Sequence, residues 1–386
     1  MAWDRHCAEE VQAPAPLFIG RWAFAAGVAI TVGVLLFFLS ASNLVPQMQA
    51  ANIWVLAAAP LLAWVLVFSA RAYAFGNALE RHEFLKAEAD NAQESWQVWA
   101  QRYLAVHASC VVLPDHLSAL TLTQAALNLP PRDGQARRIA ALPAQGDRAQ
   151  TGLQLLVQAM ATVLLALPKE QPLRVTLLSD VPVDQRGQLQ DAWEESWTTA
   201  IGQPSPANVN VASELPCQWV NEKLKTASAD FELVVVLQVS GEGAYSDGLA
   251  ALLLCPDKLA DAWDLPVLGK LLRPMPVDIT ALKSELPLFL QSQTCAGQAT
   301  AVLADSLDWQ PALAQIAMAG SARGTALNIE QQWIQERFSG QPGPLGHWLV
   351  AALGVEAARH QQAPLLLLAH DQSQHWISTV TSRDFK

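Results

Sequence analysis

Residues 231–239 read FELVVVLQV, and this stretch decides the fold. Apolar side chains, three of them consecutive valines, fill all but two positions, with no regular polar alternation. A strand with one wet face alternates polar and apolar residues, so this one is expected to be covered on both faces by helices. Residues 241–248 follow as GEGAYSDG and residues 249–255 as LAALLLC, a turn and a second apolar strand. The glycine pair Gly241 and Gly243 lacks the third glycine and the helix opening of a dinucleotide site, so it reads as a plain turn.

Working outward, strands and helices alternate. Upstream stand a strand at 109–113 closed by Pro114, a loop rich in Pro, Gly and Arg at 129–150, and an apolar helix at 151–167. A strand follows at 173–178 (LRVTLL), then an amphipathic helix at 184–201 with Trp193 and Trp197 four apart, a weak strand at 209–212 and a short helix at 216–226. Downstream, helices are expected at 309–317, 328–338 and 345–359, a buried strand at 364–369 (PLLLLA) and a last strand at 376–381. This order predicts a layered α/β sandwich of helices and mostly parallel sheets over residues 107–386.

The first quarter of the chain is different. No charged residue occurs between Arg21 and Arg71, and within that gap 22–39 and 53–70 are each long enough to cross a hydrocarbon core. Residues 22–70 therefore read as a transmembrane hairpin, with Pro60 kinking its second span. The linker SASNLVPQMQAAN is uncharged, whereas Arg5 and Arg21 flank one side and Arg71, Arg81 and Lys86 the other. The positive-inside rule then puts the tail 1–21 and everything after residue 70 in the cytoplasm. A cleaved signal peptide and a buried soluble hairpin are the alternatives; the first lacks a good cleavage site. Residues 71–106 carry charges at helical spacing and read as an amphipathic stalk helix.

Composition agrees. Of 386 residues 52% are apolar and 15% charged, below the roughly 25% of soluble domains. A formal charge of −11 argues against nucleic acid as partner. Cys7, Cys110, Cys217, Cys255 and Cys295 form no C-x-x-C pair and suit a reducing compartment. No phosphate loop, nucleophile elbow or metal pattern is present, so neither a cofactor nor a metal is expected. His370, Asp371 and His375 fall in HDQSQH between the last two strands, where an exposed polar turn is expected and metal or catalytic use is the alternative.

The series FELVVVLQV, GEGAYSDG, LAALLLC, then GPLGHWLVAALGVEAA at 343–358, PLLLLA and HWISTV resembles the β-ketoacyl synthase branch of the thiolase fold over roughly residues 103–382. The resemblance implies a thiolase-like layered α/β sandwich after two transmembrane helices. It also implies a nucleophilic cysteine on a helix before the first strand and a G-H pair opening a small-residue helix. Gly346-His347 match that pair, and Cys217 lies nearest the nucleophile's place. The departures are large: Cys217 sits in ELPCQW, Gly324-Thr325 follow Arg323 where the family has a second histidine, and GQPGPLGH lacks the lysine that the family has ahead of its G-H pair. One histidine does not replace two in decarboxylative condensation. Cys217 and His347 are accordingly vestigial candidates, and no catalytic residue is expected.

Inactive relatives of this kind, some fused to membrane spans, accompany type VI secretion effectors. The resemblance thus implies an inner-membrane adaptor whose partner is a secreted effector or a second thiolase-like protein. An acyl-transfer enzyme acting on carrier-protein or CoA thioesters through Cys217 and His347, and a structural subunit of an envelope complex, are the other readings. Family members dimerise through the strand before the nucleophile, here 207–212 (ANVNVA), which has no Lys or Pro to protect it as an edge.

Overall fold

The computed structural model describes residues 3, 12–42, 52–125, 129–168, 171–226, 230–263, 266–322, 327, 329–371 and 374–383. The chain divides into two compact units, one of residues 6–95 and one of residues 1–5 with 96–386.

The 6–95 unit holds α1 (Ile19–Ala41) and most of α2 (Ile53–Ala100). Both are long and apolar enough to cross a membrane, and only Gly33 and Ala100 in them are buried. They run antiparallel: Trp22 meets Phe68 and Phe37 meets Trp54 at ring centroids of 5.3 and 5.6 Å. At the closest approach Gly33 lies against the Ala57 carbonyl, where a Cβ would clash. Pro60 sits inside α2, which continues as one helix through it. At about 1.5 Å per residue, 48 residues extend roughly 70 Å, far beyond a bilayer core. The linker at 43–51, on which the orientation depends, and Cys7 lie outside the described residues.

In the larger unit come β1 (Tyr103–Val112), α3 (Ala119–Ala125), α4 (Arg148–Leu165), β2 (Leu173–Ser179), α5 (Arg186–Ile201), β3 (Asn208–Ala212), α6 (Gln218–Lys225) and β4 (Phe231–Gln238). Then follow β5 (Gly248–Pro256), α7 (Asp257–Trp263), β6 (Gly269–Leu272), β7 (Met275–Val277), α8 (Leu282–Ser292), β8 (Ala301–Ala304), α9 (Gln310–Ala322) and β9 (Gln332–Ile334). The last are α10 (Gln335–Ser339), α11 (Gly346–Gln361), β10 (Leu365–His370) and β11 (His375–Ser382). The strands join in the order β3-β2-β4-β5-β1-β6-β11-β10-β8-β9, with β7 on β11.

The expected layered α/β architecture is present, and side-chain alternation builds it. All eight residues of β4 are buried. Leu233, Val235 and Leu237 face α4 and α5, whereas Val234 and Val236 face the core around α11. Leu365 and Leu367 of β10 reach that same α11 core from the other half of the sheet, while Leu366 and Leu368 face α8 and α9. α11, buried at twelve of its positions, is therefore the middle layer.

Four expectations need correction. The sheet is mixed rather than mostly parallel, with six antiparallel pairings against four parallel ones. The stalk helix expected over 71–106 ends at Ala100, because Tyr103 already pairs with Leu272 in the β1–β6 ladder. Residues 332–334 of the expected helix 328–338 form β9, since Trp333 and Ile334 pair with Leu303 and Ala304. α3, β6, β7, β8, α7 and α8 form in stretches where the sequence pattern predicts no element.

Candidate functional site

Cys217 follows the edge strand β3 and meets the β10–β11 hairpin. Five residues after β3 the chain turns into α6 with Cys217 as its N-cap. The Cys217 N–H donates to Asp371 Oδ2 at 3.1 Å. Asp371 is buried, and its Oδ1 accepts the Gln374 N–H at 3.0 Å. This corrects the expectation of an exposed polar turn at 370–375. His370 is exposed, but Asp371 points into the fold and meets Cys217. The rings of His370 and His375 lie tilted against each other at 4.4 Å, with Trp309 edge-on to His375 at 5.0 Å.

His347 enters from the first turn of α11. Its Nε2 is 2.8 Å from the Leu215 carbonyl, which also accepts the Trp348 indole N–H at 2.7 Å. A carbonyl only accepts, so Nε2 carries the proton and Nδ1 holds a lone pair. Nδ1 is buried and has no hydrogen-bond partner among the described residues. Burial lowers the pKa of His347, against the opposing pull of the Leu215 carbonyl and Asp371, so the ring is neutral.

Cys217, His347, Trp348, Pro274, Leu271 and Trp376 line one apolar cavity of about 30 Å³. That is room on the order of one or two water molecules. Burial first, then the charges of Asp371 and Asp305, push the Cys217 thiol well above its usual range. Asp305, at the end of β8, is itself buried, and burial raises it to about 7. Its Oδ2 accepts the His370 N–H at 2.5 Å, while Oδ1 has no hydrogen bond. The thiol thus faces carboxylates where a nucleophile would need positive charge.

The two glycine-bearing segments close over this end. Gln238, the last residue of β4, accepts the Leu345 N–H at 3.0 Å and donates to the Ser246 carbonyl at 2.8 Å. Gly343 lies so close to Tyr245 and Gln238 that a Cβ there would come within 2.6 Å of both. Glu242 and Gly243 adopt positive φ in a plain turn, as expected.

The structure therefore brings Cys217 and His347 to one cavity. His347 is the only histidine among the described residues lining it. Arg323, Gly324 and Thr325, where the second histidine was sought, lie outside the described residues. Sequence reasoning missed Asp305 and the Leu215 carbonyl, and placed Asp371 in an exposed turn rather than against Cys217. For Asp371 the one available signal was an acid at the junction of two strands. No group of His, Cys, Asp and Glu suited to a metal occurs among the described residues.

No family model matches the chain, and no curated protein matches it. Among solved structures it is similar to a complex described as AntDE:AntF, a type II polyketide synthase acyl-carrier protein with its ketosynthase. Identity there is 12%, coverage 73% of this chain and 99% of that one, and the TM-score 0.46. It is also similar to 3-oxoacyl-(acyl carrier protein) synthase III of Pseudomonas aeruginosa PAO1, at 16% identity, 73% and 98% coverage and TM-score 0.40. A third is cerulenin-bound OleA of Xanthomonas campestri, at 10% identity, 74% and 98% coverage and TM-score 0.44.

Proposed function

We propose that the chain is a membrane-anchored, thiolase-like accessory protein that performs no thioester chemistry and acts by pairing with a partner protein. The observation that carries this reading is the Asp371 carboxylate on the Cys217 amide. An acyl-transfer site keeps an amide of this kind free for the developing oxyanion. Here a fixed negative charge occupies it, burial and nearby carboxylates hold the thiol protonated, and the cavity measures only about 30 Å³.

Pairing is supported by β3. It stands at the end of the sheet with β2 as its one strand partner, and Asn208 and Asn210 are exposed. An uncovered edge without Lys or Pro is a template for another strand. The proposed mate is a second thiolase-like protein or a secreted effector of the type VI kind, a reading supported by the family resemblance. Arginines at both ends of the hairpin support an inner-membrane location with both termini in the cytoplasm. Acyl transfer is the second reading, favoured by the shared cavity of Cys217 and His347.

The test is affinity purification of the tagged full-length protein from native membranes. Under the proposal, Cys217→Ala and His347→Ala retain the partner and the biological function, while Val209→Pro loses the partner. A null phenotype of a folded Cys217→Ala protein would establish the acyl-transfer reading instead.

A further inference from the structure

Trp3 belongs to the larger unit although it precedes both apolar helices in the chain. It is 7% exposed. Its ring stands edge-on to Trp99 at 5.1 Å and tilted against Phe289 at 6.0 Å, within the core formed by α8 and α9. Its indole N–H donates to the Pro274 carbonyl at 3.1 Å, so the polar end of this buried ring is satisfied as well. Arg273 lies over the other partner, with its guanidinium 4.1 Å from the Trp99 ring and its Nε donating to the Trp99 carbonyl.

The place of this seat matters. Pro274, Leu271 and Leu272 line the Cys217–His347 cavity. The Pro274 carbonyl that receives Trp3 also receives the Asn221 side-chain amide at 3.3 Å, and Asn221 is on α6, the helix that Cys217 opens. Pro274, between β6 and β7, thus borders both the tryptophan seat and the cavity.

The structure assigns to Trp3 the role of an intramolecular clasp. It fastens the N-terminal tail to the globular unit and braces the Pro274 wall and α6 behind Cys217. One consequence rests on the membrane reading above: chain that leaves the larger unit after residue 5 and rejoins it at Trp96 crosses the bilayer an even number of times. The clasp itself depends neither on that reading nor on the absence of thioester chemistry.

The test uses the full-length protein in its membrane, an uncharged maleimide and peptide mass spectrometry, with Cys110 as internal reference. Trp3→Ala loses both ring packing and the hydrogen bond, and is expected to speed Cys217 labelling about tenfold relative to Cys110 through local opening of the wall. Trp3→Phe keeps most of the packing without the donor, and a smaller rise of roughly threefold is expected. If Trp3→Ala does not accumulate, Trp3→Phe decides alone. A membrane-impermeant maleimide should reach Cys7 and a cysteine appended after Lys386 from the same side. An unchanged Cys217 rate, or an equal rise at Cys110, overturns the clasp. Reaction of Cys7 and the appended cysteine from opposite sides overturns its even-crossing consequence, and with it the seat of Trp3.

Discussion

Asp371 is the charged group that touches Cys217 directly. Its charge stabilises the protonated thiol, and its oxygen occupies the Cys217 amide. Asp371→Asn removes the charge and keeps an acceptor, so the thiol pKa should fall. A drop of about one pH unit means roughly tenfold faster alkylation at a pH below the thiol pKa. The check is the pH profile of iodoacetamide labelling at Cys217; an unmoved profile removes Asp371 from this role. Asp305 makes a second case, with burial raising it from an ordinary 3.8 to about 7. The native state then keeps a proton that the unfolded chain has released, so stability falls as pH rises from about 4 to about 7 and stays reduced above. The largest penalty is about 4 kcal/mol. Asp305→Asn escapes it, so the variant's stability relative to the parent should be greater at pH 8 than at pH 5. Denaturant unfolding in detergent measures this, and the same difference at both pH values contradicts it.

At the scale of elements, Gly33 and β3 carry the sharpest consequences. A side chain at Gly33 meets the Ala57 carbonyl, so Gly33→Val must separate α1 from α2. Thermal aggregation of the detergent-solubilised protein should begin at lower temperature, whereas Gly27→Val, at a glycine with nothing near it, should leave it unchanged. In β3, Val209→Pro removes one ladder donor and should weaken association without disturbing β4, as read by molecular mass in detergent with and without the partner. A monomer throughout, or no effect of the proline, denies β3 an interface. Elements with dense apolar runs were legible from the residues alone. FELVVVLQV and PLLLLA can only be strands between layers, and their alternate residues do divide between two cores. β6, β7 and β8 have three or four residues each and depend on long-range ladders such as Leu271 with Val380, which local pattern does not reveal. Trp333 and Ile334 likewise fit a helix by spacing and become a strand because β8 offers an edge. In the site, Cys217 and His347 could be found by type and order. Asp371 could not, because its role arises from a contact 154 positions apart in the chain.

For the whole molecule, the proposal joins two helices long and apolar enough to cross a membrane to an α/β unit in which Cys217 and His347 share a small cavity. Both termini should lie in the cytoplasm, so a reporter active only in the periplasm should be silent when fused after Lys386; an active fusion refutes the orientation. The absence of thioester chemistry is the central claim, and it has a direct measurement. Full-length protein, purified in mild detergent, is incubated with a thiol-reactive acyl analogue and with an acyl-CoA, and its intact mass is recorded. The account predicts no acyl adduct on Cys217 from either reagent while the fold is intact. A stoichiometric adduct on Cys217 that disappears in His347→Ala would contradict it.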